Sequence, residues 1–536
     1  MAEWIFWANE IAEKIINRKK FGLIEKEIPK TDEWTVKSSS SLSGVLHIGR
    51  LSDIIRGEAE ARALEKKGFK SKFIYVTEDM DPLRKIPKGV PKEFEEFIGF
   101  PVSDVPDPQG CHKSYAEHFT SEFLEVLEKF LFLEPEVYSM RKEYKKGNFN
   151  EEIIELVKKS SQVKEIIEKV QGSKVGKNWS VWKPICEKCG NLQTTVITKI
   201  EREKIYYKCQ DYKFEKFTAK GCNHEGISNL NKANGKLVWK SEWAAQWKRW
   251  KVCSEGAGKE YESKNSAFWV NAEIAEKVLG FPHPEPIFYE HIIIGGTKMS
   301  ASLGNVVYPS DWLKVSRPET LKYLYMKRLM KTRSFEWKDI PLLELELDRI
   351  IEGTEKNTGD KVEQLKNKKY TEFVKVKNRK LTALKADYAL CAFLSDFYEE
   401  KELIKKLKEM EKISGEKEEV KTLKERIKLA KNWQEKYALE ENRVKFTETM
   451  PEIQISDEMK KVFFESIKII KKEKDSEETQ KKIYLLGKEK GIKPQELFRD
   501  FYLLLIGKEK GPRLGQLIDA IGKEKVIKRL EEAGNK

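Results

Sequence analysis

A parallel α/β domain interrupted by a Cys-bearing insertion and followed by an all-α C-terminal domain is the fold class that this sequence predicts. Three observations predict it. Residues from about 30 to 100 alternate strand and helix signals, the stretch from about 100 to 235 breaks into helices and Cys-bearing turns, and beyond about residue 340 strand signals almost vanish. With 536 residues the chain is too long for one core, and two to four domains are expected.

The first unit opens on a strand-like run, Trp34-Thr35-Val36-Lys37. Ser43-Gly44-Val45-Leu46-His47-Ile48-Gly49-Arg50 follows it and starts a helical pattern through Ile54, Ile55, Ala59 and Leu64. KFIYVT at 72–77 then runs into Asp79 and Asp81. This is a Rossmann-like βαβ unit, with polar residues at the carboxyl ends of strands, where open α/β sheets bind ligands. His47 would sit where helical amides are unpaired and the helix dipole is positive, a natural place for phosphates. Gly44 and Gly49 remove side chains that would keep a ligand off the backbone.

Strand and helix signals resume at Lys236 to Trp239 and again at Ile287 to Ile294, completing the sheet. Gly295-Gly296-Thr297-Lys298-Met299-Ser300-Ala301-Ser302 then places an ammonium and two hydroxyls on a Gly-flanked loop suited to closing over the same phosphates. A helical segment follows through Trp312, Leu313, Leu321, Leu324 and Met326. Farther on, Leu403, Leu407 and Met410, then Val420, Leu423 and Ile427, predict a helical hairpin about Ser414-Gly415. Gly487, Gly507 and Gly522, each preceding Lys-Glu-Lys, read as repeated helix stops. The expected divisions are 1–99 and 236–309 for the two halves of the α/β domain, 100–235 for the insertion, 310–345 for a connecting helical segment and 346–536 for the helical domain.

Two clusters in the insertion have metal-ligand chemistry. Cys186-x2-Cys189, then Cys209 and Cys222, supply four thiols, and the opening Cys-Glu-Lys-Cys-Gly has the tight turn of a zinc knuckle. His224 could replace Cys222, and four unrelated thiols are the alternative. Asp107-x3-Cys111-His112-x5-His118 gathers a carboxylate, a thiol and two imidazoles within twelve residues. Its alternative is a solvated helix start, with Asp107 and Pro108 serving cap and turn.

Composition bounds the remaining choices. No run of about 18 apolar residues exists, so no membrane partner is expected. The Met1-Ala2-Glu3-Trp4 start lacks the pattern of a secretory leader, and a cytoplasmic protein is expected. There are 102 basic against 88 acidic residues, so most charges can pair on helix faces, yet the +14 excess favours a polyanionic partner. Seven Cys in a reducing compartment argue for metal or thiol chemistry over a disulfide framework.

His47-Ile48-Gly49-Arg50 and Lys298-Met299-Ser300-Ala301-Ser302 resemble the two signature motifs of class I aminoacyl-tRNA synthetases. Stretches 73–87 (FIYVTEDMDPLRKIP), 104–119, 237–247 and 505–526 narrow the resemblance to the class I lysyl-tRNA synthetases typical of archaea and some bacteria. Arg50 stands where that family usually has Asn or His, Ala301 replaces Ser, and Gly258-Lys259-Glu260-Tyr261 stands where Gly-Lys-Asp-His is usual.

The resemblance implies a HUP-type catalytic domain, a zinc-binding insertion with about two structural zinc ions, and a C-terminal domain that recognises the anticodon. It implies ligation of L-lysine to lysine tRNA through lysyl adenylate, with ATP as substrate and Mg2+ beside it. His47, Gly49, Lys298, Ser300 and Ser302 would be catalytic, and Gly44 and Met299 would join them in holding ATP. Trp243 and Glu242 would wall a pocket for an alkylammonium, by cation–π contact and charge, with Tyr289 as partner. Trp247 and Trp250 read as core. Ser39 and Ser41 would present hydroxyls and backbone groups to the amino acid, and Asp79 would receive its α-ammonium. A related synthetase for glutamate, or a tRNA-binding paralogue that has lost catalysis, are the rival readings.

Overall fold

The computed structural model describes residues 5–535 except 43, 88, 177–178, 202, 233, 300–304, 356–359, 441–442 and 448. The chain forms two compact units. The first takes in residues up to Trp312, Pro318–Phe335 and Ile350–Leu381; the second takes in Leu313–Arg317, Glu336–Arg349 and the chain from Thr382 onward. Residues 310–345 thus contribute to both.

In the first unit, strands β1 (Trp34–Ser40), β2 (Ser71–Thr77), β3 (Glu136–Ser139), β4 (Val252–Gly258) and β5 (Glu285–Tyr289) form one parallel sheet in the order β5-β4-β1-β2-β3. The order reverses between β1 and β4, and such a switch point opens a crevice at the carboxyl ends of the strands. Helix α1 (Ile48–Lys66) follows β1 directly. Its apolar Ile48, Leu51, Ile54, Ile55, Ala59 and Leu64 are all buried, and so are Arg56, Glu58, Glu60 and Arg62. A helix covered on nearly every side is a central element.

Three features of this sheet differ from the sequence reading. β3 comes from within 100–235, the stretch expected to be an insertion. β4 carried no strand signal, because Val-Cys-Ser-Glu-Gly-Ala-Gly is buried along its whole length by small residues rather than by an apolar run. A Cβ at Gly256 would lie 2.1 Å from the Asp53 carboxylate, so α1 crosses this strand where a side chain would collide. Of the runs expected to complete the sheet, residues 287–289 do so within β5, and the rest are divided among other structures. Gly235–Leu237 pairs antiparallel with Trp182–Pro184, and helix α2 (Trp239–Trp250) begins at once. Ile292–Ile294 joins a separate sheet with Thr297–Lys298 and Arg333–Phe335.

The second unit is helical. Glu400–Glu409 and Lys417–Lys436 form the expected hairpin, turning at Gly415 with φ +91°. Helices α3 (Ser476–Glu489), α4 (Pro494–Ile506) and α5 (Leu514–Ile521) follow. Gly507 and Gly522 end their helices with positive φ, as read. Gly487 does not: it lies inside α3, where a Cβ would meet Leu497 at 2.7 Å, and Gly491 takes the positive φ instead. No helix among the described residues is long and apolar enough to cross a membrane.

Candidate active site

His47 is the N-cap of α1 and accepts the Gly49 amide at Nδ1 over 3.0 Å. That bond fixes the neutral tautomer, leaving the proton on Nε2. Burial, then the cations of Arg50 and Lys298, push the imidazole down to about 4. It is therefore a neutral donor at physiological pH, set among cations at the positive end of a helix. Gly44, with φ +115°, turns the chain into this start, and a Cβ at Gly49 would meet the His47 ring at 2.7 Å and Met299 Cε at 3.1 Å.

The second motif reaches the first. Thr297–Lys298 returns antiparallel on Ile292–Ile294 through Gly295 and Gly296, both at positive φ. Met299 thereby covers Gly49, while the exposed Lys298 ammonium lies 3.3 Å from His291 Nε2. Ser300, Ala301 and Ser302 lie outside the described residues. Arg50 is exposed beside His47. Tyr261, the other departure, sets its ring against Trp243 at 5.4 Å.

Several of the residues expected to hold an amino acid belong to a buried charge network. Glu242 is fully buried, pairs with Lys236 and accepts Tyr144 Oη over 2.7 Å. Burial alone would lower the Lys236 ammonium; Glu242 and Asp81 outweigh it and its pKa is raised. Ser41 Oγ donates to Asp81 over 2.7 Å, and Asp81 lies 3.5 Å from Lys236. Trp243, 3% exposed, stacks on Trp239 at 4.8 Å and donates to Glu255 over 2.7 Å. Glu255 also accepts Trp247 and pairs with Lys37. Trp247 is fully buried, as read, and Trp250 is half-buried.

Tyr289 and Asp79 have partners other than those expected. Tyr289 donates to Asp53 over 3.1 Å, beneath the Arg56 guanidinium at 4.3 Å. Burial, then the nearby Glu255, push the Asp53 carboxyl up to about 6. Asp79 accepts Ser139 Oγ and the Arg141 amide, holding the start of the helix Met140–Lys145. Ser39 is half-buried in β1, opposite Val76.

Sequence reasoning missed Lys37, Glu78, Lys236, Glu255, Glu260 and His291. Lys37 and Glu255 face each other in register across β1 and β4, a pairing visible only once β4 is known. Glu78 is pushed up to about 8, by burial first, with Lys37 opposing and Glu242 adding to the shift. Gln246 holds both its oxygens at 3.1 Å.

Both Cys/His clusters are assembled. The sulfurs of Cys186, Cys189, Cys209 and Cys222 lie within 4.8 Å of one another, with Cys186 to Cys222 at 3.6 Å and Cys189 to Cys209 at 3.7 Å. The edge of a ZnS4 tetrahedron with about 2.3 Å bonds is about 3.8 Å, so the donor set fits a tetrahedral ion. His224 stands apart and meets Glu187 at 2.9 Å. Asp107, Cys111, His112 and His118 also each bring a ligand atom within 4.8 Å of the others. His118 meets Glu122 at 3.4 Å through its far nitrogen, the outer carboxylate that metal-binding imidazoles commonly use.

The chain matches the family described as tRNA synthetases class I (K) over residues 5–377, and an anticodon binding domain over residues 386–534. Among curated proteins, a lysine–tRNA ligase of Methanocaldococcus jannaschii is 31% identical over 98% of this chain and 99% of its own. One of Pyrococcus horikoshii is also 31% identical, over 99% of this chain and 100% of its own. One of Methanosphaera stadtmanae is 28% identical over 98% of this chain and 99% of its own.

Proposed function

Because the chain belongs to the class I (K) tRNA synthetases, we propose that it joins L-lysine to the 3′ end of lysine tRNA, with ATP as co-substrate and lysyl adenylate as intermediate. The convergence of His47, Gly49, Lys298 and Met299 on one helix start carries this reading.

The lysine carboxylate is already a nucleophile at neutral pH, so its attack on the α-phosphorus of ATP needs no general base. Catalysis reduces to in-line positioning and stabilising charge on the departing pyrophosphate. His47 donates from Nε2, the α1 amides add their dipoles, Lys298 neutralises β- and γ-phosphate charge, and Ser300 and Ser302 supply hydroxyls. Magnesium enters with the triphosphate. The terminal ribose hydroxyl of the tRNA then attacks the lysyl carbonyl, and AMP leaves as its proton passes to solvent.

The pocket charge favours an ammonium substrate. Glu78, Asp81, Glu242 and Glu255 are four carboxyls against two ammoniums, Lys37 and Lys236. Burial holds Glu78 and Glu242 above the usual carboxylate range, and a lysine ammonium among these carboxyls would favour their charged forms. Glutamate would add to the excess instead.

Zinc suits both donor sets. Cys186, Cys189, Cys209 and Cys222 would hold one ion, and Asp107, Cys111, His112 and His118 the other. Each ion would staple a segment poor in core, and four protein ligands leave no position for reactive water. In the helical unit, a cleft of about 350 Å³ is lined by Gln480, Lys481, Tyr484, Phe498, Arg513 and Gln516. Glu477 also lines it and pairs with Arg513 over 3.1 Å, while Lys481 pairs with Glu478; the two rings and two amides suit an unstacked base. A Cβ at Gly515 would lie 1.8 Å from Ser476 O, so a side chain there would force α5 off α3 and deform the cleft.

Pyrophosphate exchange into ATP, run with each amino acid in turn, tests the reading. Exchange should depend on lysine, and Lys298→Ala should lower it by at least about 100-fold while lysine binding without ATP changes little. Exchange driven by another amino acid, or none at all, would overturn the reading.

A further inference from the structure

His291 Nε2 has two claimants. Glu260 Oε2 lies 2.9 Å from it on one side and the Lys298 ammonium 3.3 Å on the other. A ring nitrogen carries either a hydrogen or a lone pair, never both. With a hydrogen on Nε2, His291 donates to Glu260 and presents an N–H to an ammonium that can only donate. With a lone pair there, it accepts from Lys298 and faces a carboxylate that can only accept. The two contacts therefore compete for one atom.

The surroundings define what resolves the competition. Glu290, the residue before His291, is occupied by Lys259. Glu260 packs its carboxylate beneath Gly258, where a Cβ would come within 2.5 Å. Lys298 lies on the return strand of a hairpin turned by two glycines at positive φ, opposite Ile293, and it is exposed. Glu260 and Lys298 are both exposed, and Lys298 is the one of the two that a phosphate would draw away. The Lys298 charge acts on the His47 imidazole, as that of Arg50 does, so the ammonium stands near the phosphate-binding helix start.

We propose that His291 is a positioning residue for Lys298, holding the ammonium on Nε2 while the site is empty and yielding it to nucleotide phosphate as Nε2 turns its hydrogen to Glu260. The inference rests on the nucleotide reading of this site. Departure of Lys298 removes a cation from His291 and leaves the Glu260 carboxylate against it, so nucleotide engagement favours the protonated ring. ATP should accordingly bind more tightly at pH 6 than at pH 8. His47, held near 4, does not titrate in that window. The charged groups around the ring are Glu260 and Lys298 on Nε2 and the neighbouring Glu290 with its partner Lys259.

The experiment is calorimetric titration of the full chain with ATP and excess magnesium at pH 6 and pH 8, alongside lysine-dependent pyrophosphate exchange. Unaltered protein should bind ATP about threefold or more tightly at pH 6. His291→Gln, which donates and accepts but does not titrate, should lose that difference. His291→Phe should raise the KM for ATP about tenfold and leave the KM for lysine unchanged. A pH difference that persists in His291→Gln, or an unchanged ATP KM in His291→Phe, overturns the inference while the parent reading stands. ATP binding without lysine-dependent exchange would overturn the parent reading and still test His291 through the titration. No ATP binding by the unaltered protein would sink both.

Discussion

The Gly49 amide donates to Nδ1 of His47 across 3.0 Å, so one side chain both caps α1 and directs its second nitrogen outward. The two roles can be separated. His47→Asn keeps an acceptor near the Nδ1 position and loses the outer donor, whereas His47→Ala loses both. Both should lower lysine-dependent exchange on the order of 100-fold. His47→Ala alone should lower thermal stability, by about 1 kcal/mol for a lost cap. Full activity in His47→Asn would show that the outer nitrogen does no chemistry.

Arg50 decides whether a departure from the family pattern is tolerated. A long cation one turn into α1 can reach a triphosphate that Asn could only hydrogen-bond. Arg50→Asn should keep lysine activation within about tenfold of the unaltered chain. Activity that rises sharply in Arg50→Asn from an inactive parent would mark Arg50 as an obstruction.

Metal analysis of the purified chain should find about two zinc ions. Cys186→Ser should remove one and His118→Ala the other, each lowering thermal stability. A chain free of metal yet fully active would remove both assignments.

The cleft on α3, α4 and α5 should act on tRNA alone. Tyr484→Ala should raise the KM for lysine tRNA by about tenfold, as expected when one stacked base costs roughly 1–3 kcal/mol, and leave pyrophosphate exchange unchanged. Equal effects on both reactions would point to misfolding.

Glu60 is a stability probe. Neither of its buried carboxyl oxygens has a hydrogen-bond partner, and burial, then Glu285, holds the group well above its ordinary 4.5. An acid whose pKa is higher folded than unfolded keeps its proton longer in the folded state. Its contribution favours folding at acid pH and is lost as pH rises from 4.5 toward the folded value. Glu60→Met should therefore stabilise the chain at pH 8, by about 1–3 kcal/mol, with the gap closing toward pH 5. A pH-independent gap would mean packing, not ionisation, sets it.

The parts of the site written as local patterns were legible in the sequence. His47 at a helix start, the glycine-flanked Lys298 and the Cys186-Cys189 turn each show their chemistry within about ten residues, and the structure assembles all three. Relationships that arise across strands were not. Lys37 meets Glu255 because β1 and β4 are neighbours, and β4 hides its strand character in small residues. Glu242 read as part of a pocket wall for an ammonium, and nothing in its own helix reveals that Lys236 also reaches it from the preceding strand. Gly487 read as a helix stop by composition, yet its missing side chain serves packing against Leu497.

The antiparallel pairing of Trp182 with Leu237 brings the two ends of the thiol-bearing lobe side by side, while Asn191, Leu192 and Gln193 also tie it to Ile98 and Gly99 within the same unit. Closing such a loop depends weakly on how many residues it contains. Between those two residues the lobe can be lengthened, trimmed or exchanged without rethreading a strand of the parallel sheet. Length differences among related chains should therefore accumulate there, and a transplanted lobe would need those two adjacent junctions and a match for the Gly99 carbonyl to dock.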